Sequence, residues 1–258
     1  MHKLKTPHSP CPEGGFSLIE LMLAMMITLV VMVLASTLLA GSFRVRSRED
    51  RRSLALADAQ RALNIMTREI ANTGFRLPPD LTYASGAAQI ALPVNGIIPI
   101  NSNLNSIRII ANLDDPGNGA AADPVVGPTE ESEDVRFAMA VNNGSNYLAR
   151  YDNNVTNNKT TVLADAIDSL NFYYYDERVR YTAATDANGR VNGTLTGVLN
   201  AANAAEAEVA PALAKYIVIV VRVRLPAVGT PNAEGYQPES NVQLVSDVGL
   251  RNTTSSQY

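Results

Sequence analysis

The segment from Leu21 to Ala40 contains twenty consecutive residues without a charged side chain, and a glutamate, Glu20, immediately precedes it. An α-helix rises about 1.5 Å per residue, so a helix of this length is roughly 30 Å long. That length matches the hydrocarbon core of a bilayer. The segment therefore predicts a membrane-spanning helix that carries one carboxylate at its start.

The carboxylate of Glu20 needs a positively charged partner. An acidic side chain within a membrane helix costs about 2.5–3.5 kcal/mol on insertion scales, and no lysine or arginine lies between Lys5 and Arg44. Cleavage of the chain between Gly15 and Phe16 would create an α-amine four residues before Glu20. Residues four apart are neighbours on a helix, so the amine could come from the same chain or from an adjacent one.

The seven residues from Gly14 to Glu20, GGFSLIE, followed by the apolar segment, resemble the N-terminal signal of type IV prepilins and related pseudopilins. Members of this family have a short polar leader, then a glycine, a phenylalanine, and a glutamate four residues after the phenylalanine. The resemblance implies that a prepilin peptidase cleaves after Gly15 and methylates the nitrogen of Phe16. It also implies that Glu20 pairs with the Phe16 amine of a neighbouring subunit during filament assembly.

Two other N-terminal signals fit this sequence less well. A secretory signal peptide has an apolar region of about 7–15 residues followed by a small-residue cleavage site, whereas the apolar region here is longer and follows Glu20. A simple signal anchor would leave Glu20 at the membrane interface. We expect the prepilin signal and a cytoplasmic leader.

The arginines that follow the membrane segment oppose this orientation under the positive-inside rule. They are Arg44, Arg46, Arg48, Arg51 and Arg52. We expect the cleavage signal to set the orientation, because the peptidase needs a cytoplasmic leader. For the arginines we favour a solvated face paired with Glu49 and Asp50 over contacts with lipid phosphates.

The residue types of the mature chain exclude several activities. Both histidines (His2 and His8) and the only cysteine (Cys11) precede Gly15. Histidine general-base catalysis, cysteine nucleophiles, disulfides and zinc sites made of cysteine or histidine are therefore excluded. Without the leader, the chain has 19 basic and 24 acidic side chains, which gives no basic surface for nucleic acid. We expect neither an enzyme nor a cofactor.

The helix is expected to continue beyond the membrane segment, because residues 42–72 contain no proline or glycine. Apolar residues recur there at spacings of three and four, which predicts one buried helical face. This apolar stripe consists of Leu56, Ala59, Leu63, Met66 and Ile70. The residues Asn72-Thr73-Gly74 predict the end of the helix.

Beyond Phe75, alternating apolar residues and turn residues predict antiparallel strands. The candidate strands lie at residues 107–111, 135–141, 147–151, 160–163, 170–175, 216–225 and 242–248. Two stretches, Asn112–Asp134 and Ala183–Ala214, are expected to be surface loops, the second with a short helix within Ala201–Val209.

We therefore expect an α+β, pilin-like fold in which a long N-terminal helix precedes an antiparallel β-sheet head. Its expected parts are a leader (1–15), a transmembrane and filament-core helix (16–43), an amphipathic helix on the head (44–74) and the extracytoplasmic head (75–258).

Other candidate sites in the head have ordinary structural explanations. Asp114–Gly119 and Asp186–Gly189 offer oxygen ligands for calcium, but neither completes an EF-hand loop and both have the composition of turns. The acidic run Glu130–Asp134 is expected to be a solvated loop or a surface for a partner. Within Tyr173–Tyr175, we expect at least one side chain in the core of a strand.

The helix end Ala62–Ile70, the following Thr73-Gly74-Phe75, and the C-terminal Val248–Asn252 are similar to PilW-type minor pilins. The resemblance implies a minor structural subunit of a type IV pilus that takes part in pilus assembly, with the filament tip as a candidate position. Two alternatives stay open. One is a J-type pseudopilin of type II secretion, and the other is a membrane-anchored adhesion module whose helix is only an anchor.

The resemblance also implies partners and a location. The partners are other pilins through the N-terminal helix, the prepilin peptidase, the inner-membrane assembly platform and, before assembly, the lipid bilayer. We expect a single-pass inner-membrane protein with a periplasmic head, which later reaches the pilus and the cell surface.

Overall fold

The computed structural model describes residues 17–77, 82–85, 88–113, 133–142, 144–153, 159–225, 227, 231–232 and 236–253. The chain divides into two compact units, Met1–Glu49 and Asp50–Tyr258. One long helix, α1 (Leu18–Ala71), is followed by antiparallel strands, so the predicted α+β fold class is confirmed. The predicted domain boundaries remain predictions.

The strands form four antiparallel groups: the hairpin β1-β2, the sheet β3-β4-β5-β6, the sheet β11-β10-β7, and the hairpin β8-β9. Their bounds are β1 Thr82–Ser85, β2 Ala88–Ala91, β3 Ser106–Ile110, β4 Asp134–Asn142, β5 Ser145–Asp152, β6 Lys159–Asp165, β7 Ile167–Tyr175, β8 Arg180–Thr185, β9 Val191–Leu199, β10 Tyr216–Leu225 and β11 Ser240–Gly249. Each of the seven predicted strands has a counterpart among them, and β10 has the predicted bounds.

The core of the second unit forms where the apolar stripe of α1 packs against both larger sheets. Ala59, Met66 and Ile70 are fully buried and Leu63 is nearly so, while Leu56 at the start of the stripe is half-buried. The predicted stripe is therefore confirmed over its last four positions. Its partners are Ile107, Ile109, Val135, Phe137 and Leu148 from the four-stranded sheet and Leu170, Phe172, Ile217, Ile219 and Val221 from the three-stranded sheet.

The end of α1 follows the sequence prediction and is held by the C-terminal part of the chain. The helix ends at Ala71, and Gly74, three residues later, has a φ of 79°, a left-handed conformation that glycine adopts readily. The side-chain amide of Asn252 donates to the backbone carbonyl oxygens of Asn72 and Thr73, at 3.3 and 2.9 Å. The carbonyl of Asn72 also accepts from the N–H of Phe75 at 3.2 Å, so Asn252 adds a second donor there and ties the end of the helix to the C-terminal part of the chain.

The prediction of a loop over Ala183–Ala214 is wrong, because most of its first half is the hairpin β8-β9. This hairpin covers the second face of the three-stranded sheet, where Leu195 and Val198 pack against Tyr173, Tyr175, Val218 and Val220. Strand β10 has five consecutive buried residues, Ile217–Val221. A strand that is apolar on both faces needs a cover on each of them, and the hairpin provides the second cover.

The short helix predicted within Ala201–Val209 is also absent from the structure. Instead, Ala205 pairs with Leu199 in an isolated bridge, the N–H of Glu206 donates to the carbonyl of Val198, and that of Val209 to the carbonyl of Tyr174. Alanine favours helix by only a few tenths of a kcal/mol per residue. Hydrogen bonds to neighbouring strands therefore determine this segment.

The acidic run is not solvated at its described end, which corrects the expectation of a solvated loop. Glu133 and Asp134 are buried, with 3% and 7% exposure, whereas residues 130–132 lie outside the described residues. Asp134 accepts two hydrogen bonds from the Arg108 guanidinium, at 2.8 and 2.5 Å. A carboxylate of Glu133 accepts from the N–H of Leu113 at 2.8 Å, so both acids hold β3 and β4 together.

Two glycines allow the segment after α1 to contact the edge of β3 closely. The N–H of Gly74 donates to the carbonyl of Ile110 at 2.9 Å, and the N–H of Ile110 donates to the carbonyl of Gly96 at 2.8 Å. Gly96 has a φ of 69°, and a Cβ atom there would collide with the backbone of Gly74 and Ile110. Only glycine fits this position without displacement of the backbone.

We expect Gly96→Ala to destabilise the protein more than Gly189→Ala. Both positions have a left-handed φ, 69° and 74°, so both variants carry a backbone cost of about 1–2 kcal/mol. At Gly189, however, nothing lies within 4 Å of an added Cβ, whereas at Gly96 the collision should add about 1–3 kcal/mol. Urea denaturation of the detergent-solubilised protein measures both losses, and equal losses would contradict the close approach.

A partly buried group of ion pairs joins α1 to β5. Arg150 Nε lies 3.1 and 3.0 Å from the two carboxylate oxygens of Glu69, and its Nη1 lies 3.5 Å from the carboxylate of Asp152, whose side chain is fully buried. Burial raises the pKa of the Glu69 carboxyl, and the attraction of Arg150 offsets this only in part. The charged form of Glu69 is therefore disfavoured by folding, although it is paired.

We expect Arg150→Met to destabilise the protein by about 3–5 kcal/mol, since it removes the guanidinium that contacts both the fully buried Asp152 and the half-buried Glu69. Glu69→Gln should cost much less, because Arg150 keeps Asp152 and a poorly solvated charge is removed. Denaturation of both variants at pH 7 tests the ranking. A larger loss from Glu69→Gln would contradict it.

The raised pKa of Glu69 also fixes the sign of a pH effect. The folded state holds this proton to higher pH than the unfolded state, so stability falls as pH rises from the unfolded pKa through the raised folded pKa. In Glu69→Gln, which has no carboxyl group at this position, this decrease in stability should be absent. The free energy of unfolding of both proteins, measured across the same pH range, tests the prediction.

Candidate processing and assembly site

The first turn of α1 contains Glu20, the predicted assembly residue. Ser17 precedes the helix, and its carbonyl accepts hydrogen bonds from the N–H groups of Glu20 and Leu21 at 3.0 and 3.1 Å. The bond to Leu21 has the spacing of an α-helix, so the helix begins here. Gly15 and Phe16, the predicted processing residues, lie outside the described residues. Their predicted roles, and that of Glu20, remain predictions.

The start of the helix stabilises a carboxylate, but by less than the cost of placing that carboxylate in a membrane. The backbone N–H groups at a helix N-terminus carry a partial positive charge, which stabilises an acid in the first turn by about 0.3–1 kcal/mol. An acid in a membrane helix costs about 2.5–3.5 kcal/mol. Glu20 is exposed in the first turn of α1, so an apolar environment would require a further positive group beside it.

The apolar half of α1 is not covered by any described part of the chain. All side chains of residues 18–43 are exposed, and the large apolar ones among them are 56–77% exposed. Within the described ranges, α1 is the one helix that is long and apolar enough to cross a membrane. Exposure of this much apolar surface to water is strongly unfavourable, so the surface requires lipid or other apolar helices.

Three of the polar side chains in this half are satisfied within the helix itself. The hydroxyl of Thr28 donates to the carbonyl of Ala24 at 2.7 Å, that of Ser36 to Met32 at 2.7 Å, and that of Thr37 to Leu34 at 2.8 Å. Such bonds to the preceding turn remove the cost of a hydroxyl in an apolar environment. Glu20 is thus the one residue of the segment 18–43 whose charge remains uncompensated among the described residues.

The head offers no comparable centre for chemistry in its described part. Asp186 closes a turn, with its carboxylate accepting from the N–H groups of Asn188 and Arg190 at 2.8 and 2.9 Å, which confirms the predicted turn. Asp114–Gly119 lies outside the described residues. Elsewhere in the described ranges, no three His, Cys, Asp or Glu residues come together as metal ligands.

The three consecutive tyrosines are all core residues, which confirms the prediction that at least one of them is buried and extends it to the other two. Tyr173, Tyr174 and Tyr175 are all buried, on both faces of β7. Burial raises the pKa of all three hydroxyl groups, most strongly that of Tyr174. They are therefore poor acids at neutral pH, and their role is packing.

The sequence analysis missed one candidate contact surface, the solvent-facing row of α1 that contains Arg61, Asn64 and Arg68. These exposed residues recur at spacings of three and four, the same periodicity as the buried stripe, whereas Ile65 beside them is half-buried and packs against the core. This second periodicity in the sequence could have indicated the surface.

The comparisons with known proteins agree with the N-terminal site. A family model described as the prokaryotic N-terminal methylation motif matches residues 12–42, which include Gly15, Phe16, Glu20 and the apolar half of α1. No curated protein and no solved structure is significantly similar to this chain. The motif supports a type IV pilin-like protein: a structural subunit that is made as a membrane-anchored prepilin, processed by a prepilin peptidase and assembled with other pilins.

Proposed function

We propose that this protein is a minor structural subunit of a type IV pilus, of PilW type, that takes part in pilus assembly. The peptidase cleaves between Gly15 and Phe16 and methylates Phe16, and the chain waits in the inner membrane with its head in the periplasm. The observation that carries the proposal is an apolar helix with no cover in the described chain, which begins with the uncompensated carboxylate of Glu20.

The proposed assembly step exchanges one apolar environment for another. In the membrane, lipid covers residues 18–43, and in the filament the equivalent helices of neighbouring subunits do so. The amine of Phe16 in one subunit then lies beside Glu20 of the next. Because an unpaired charge in an apolar bundle is costly, only the axial positions that bring amine and carboxylate together are stable. The pair thereby sets the register of the subunit.

A minor role is supported by two features. Major pilins usually have a proline late in the apolar segment, whereas this chain has Thr37, and α1 is continuous through that residue. Many major pilins also close a C-terminal loop with a disulfide, and no cysteine follows Cys11. The assembly platform of the inner membrane and other minor pilins are the proposed partners, and the filament tip is the proposed position.

The second candidate is a J-type pseudopilin of type II secretion, which the same N-terminal features would suit. Deletion of the gene separates the two candidates. Loss of surface pili with normal secretion supports the pilus, and the reverse supports the pseudopilin. The third candidate, an adhesion module on a plain anchor, has no need for a charge at position 20.

We expect the mature protein to begin at Phe16 with a methylated α-amine. The physical reason is that the new amine is the missing positive group beside Glu20. N-terminal sequencing and mass spectrometry of the protein purified from its own cells measure both properties. Retention of the first fifteen residues, or a start at any other position, would refute the proposal.

We expect Glu20→Gln to insert in the membrane and to be cleaved normally but to be lost from pili. Removal of one member of a buried pair costs about 3–5 kcal/mol, which corresponds to at least about a hundredfold loss in competition with the wild-type chain. Glu20→Asp, which keeps the charge, should be incorporated better than Glu20→Gln. Equal incorporation of wild type and Glu20→Gln, measured by immunoblot of sheared pili, would contradict the pairing.

A further inference from the structure

The solvent-facing side of α1 in the second unit carries a shallow depression of about 510 Å³. Its lining comes from α1 alone and consists of Ala57, Gln60, Arg61, Asn64, Ile65 and Arg68. Except for the half-buried Ile65, these residues are exposed. Along the helix, Ala57 lies one turn before Arg61, and Asn64 lies between Arg61 and Arg68.

The spacing of the lining residues is that of a helix-binding surface. Four residues at positions i, i+3, i+4 and i+7 form the hole that receives one side chain of a packed helix. Residues 57, 60, 61 and 64 form one such hole, and residues 61, 64, 65 and 68 form the next. Two consecutive holes accept two side chains from one helical partner, so the shape favours a helix as the occupant.

The charge of this surface specifies the partner further. Arg61 and Arg68 are exposed, and neither makes a hydrogen bond or salt bridge with any residue in the described part of the chain, although the charge of Arg68 also acts on the neighbouring Glu69. Over residues 46–71, α1 has six basic and four acidic side chains, although the whole chain has a net charge of −4. A helix that fits here should therefore bring acidic side chains beside the two arginines.

We propose that this surface of α1 docks an acidic helix of a different pilin-like subunit. The inference rests on the proposed function and names the chemistry of the partner. A second copy of this chain is disfavoured, because α1 is the one α-helix of the described residues and would set the same arginines against each other. Like charges opposite one another across an interface are destabilising.

Photo-crosslinking in living cells tests the proposal on the full chain. Gln60, an exposed residue at the edge of the first hole, is replaced by a photoreactive amino acid, Gln60→p-benzoylphenylalanine. We expect a filament-dependent adduct with a different protein, and mass spectrometry should locate it in a helical peptide of net negative charge. Arg61→Glu with Arg68→Glu should lower the yield of this adduct at least tenfold.

The control is a second pair of charge reversals on the exposed surface of the head, Arg180→Glu with Lys215→Glu, which changes the net charge equally. It should leave the adduct within twofold of the unmodified chain. Arg61→Glu alone should also lower the yield, which guards against an effect of Arg68 on the adjacent Glu69. Exchange of the partner's acidic residues for lysine should restore the adduct of the doubly reversed chain.

Four results would overturn the inference: an adduct with a second copy, an adduct with lipid only, no adduct in filaments that contain this protein, or equal losses in the reversed and control chains. Absence of the unmodified protein from pili would refute the proposed function itself, and the docking surface with it. Normal incorporation without an adduct at position 60 would refute the docking surface alone.

Discussion

The two halves of α1 have different surroundings. The first half needs an apolar environment on every side, and the second half packs one face against the head and leaves the other in water. From Leu21 to Ala40 every position is uncharged, so the helix has no polar side to turn towards water. From Ala59 onwards apolar residues return every three or four positions and one face alone is buried. Helical hydrogen bonding is the same throughout, since it is internal to the backbone, and only the side chains select lipid or protein as the solvent.

The packing of the head depends on β10, the central strand of the three-stranded sheet. One face of β10 presents Ile217, Ile219 and Val221 to the core that includes α1, and the other presents Val218 and Val220 to the hairpin β8-β9. Since no polar side chain interrupts this run, neither face can be left in water. The hairpin is therefore a necessary part of the head and not an elaboration of a loop.

Local sequence patterns predicted what local physics determines. The end of α1 at Ala71 followed from Asn72-Thr73-Gly74, and β10 followed from its β-branched residues, because helix ends and strand propensities act over a few residues. The hairpin β8-β9 was missed, since its strands are rich in Ala, Thr and Gly and its stability comes from the sheet that it covers. The run Ile217–Val221 could have predicted the hairpin, because a strand that is apolar on both faces needs a covering element on each.

The buried acids were mispredicted for a related reason. Glu133 and Asp134 end an acidic run that composition assigns to solvent, but Arg108 and the backbone of Leu113 supply their partners from β3 and the segment that follows it. A charge can be buried only where such partners converge, and convergence is a property of the fold. At the N-terminus the reverse holds. The cost of an isolated carboxylate at the start of an apolar helix is visible in sequence alone, which is why the role of Glu20 could be proposed without any contact in the head.

Charge is also distributed unevenly between the helix and the head. Residues 46–71 have an excess of basic side chains, whereas residues 72–258 have 12 basic and 19 acidic ones. A filament places equivalent helices side by side, and helices with the same excess charge repel one another over distances up to the screening length, about 10 Å at moderate salt. A subunit with such a helix is poorly suited to forming a filament from its own copies and better suited to a place among unlike neighbours. This charge distribution is independent of the N-terminal motif and is consistent with the proposed role as a minor component.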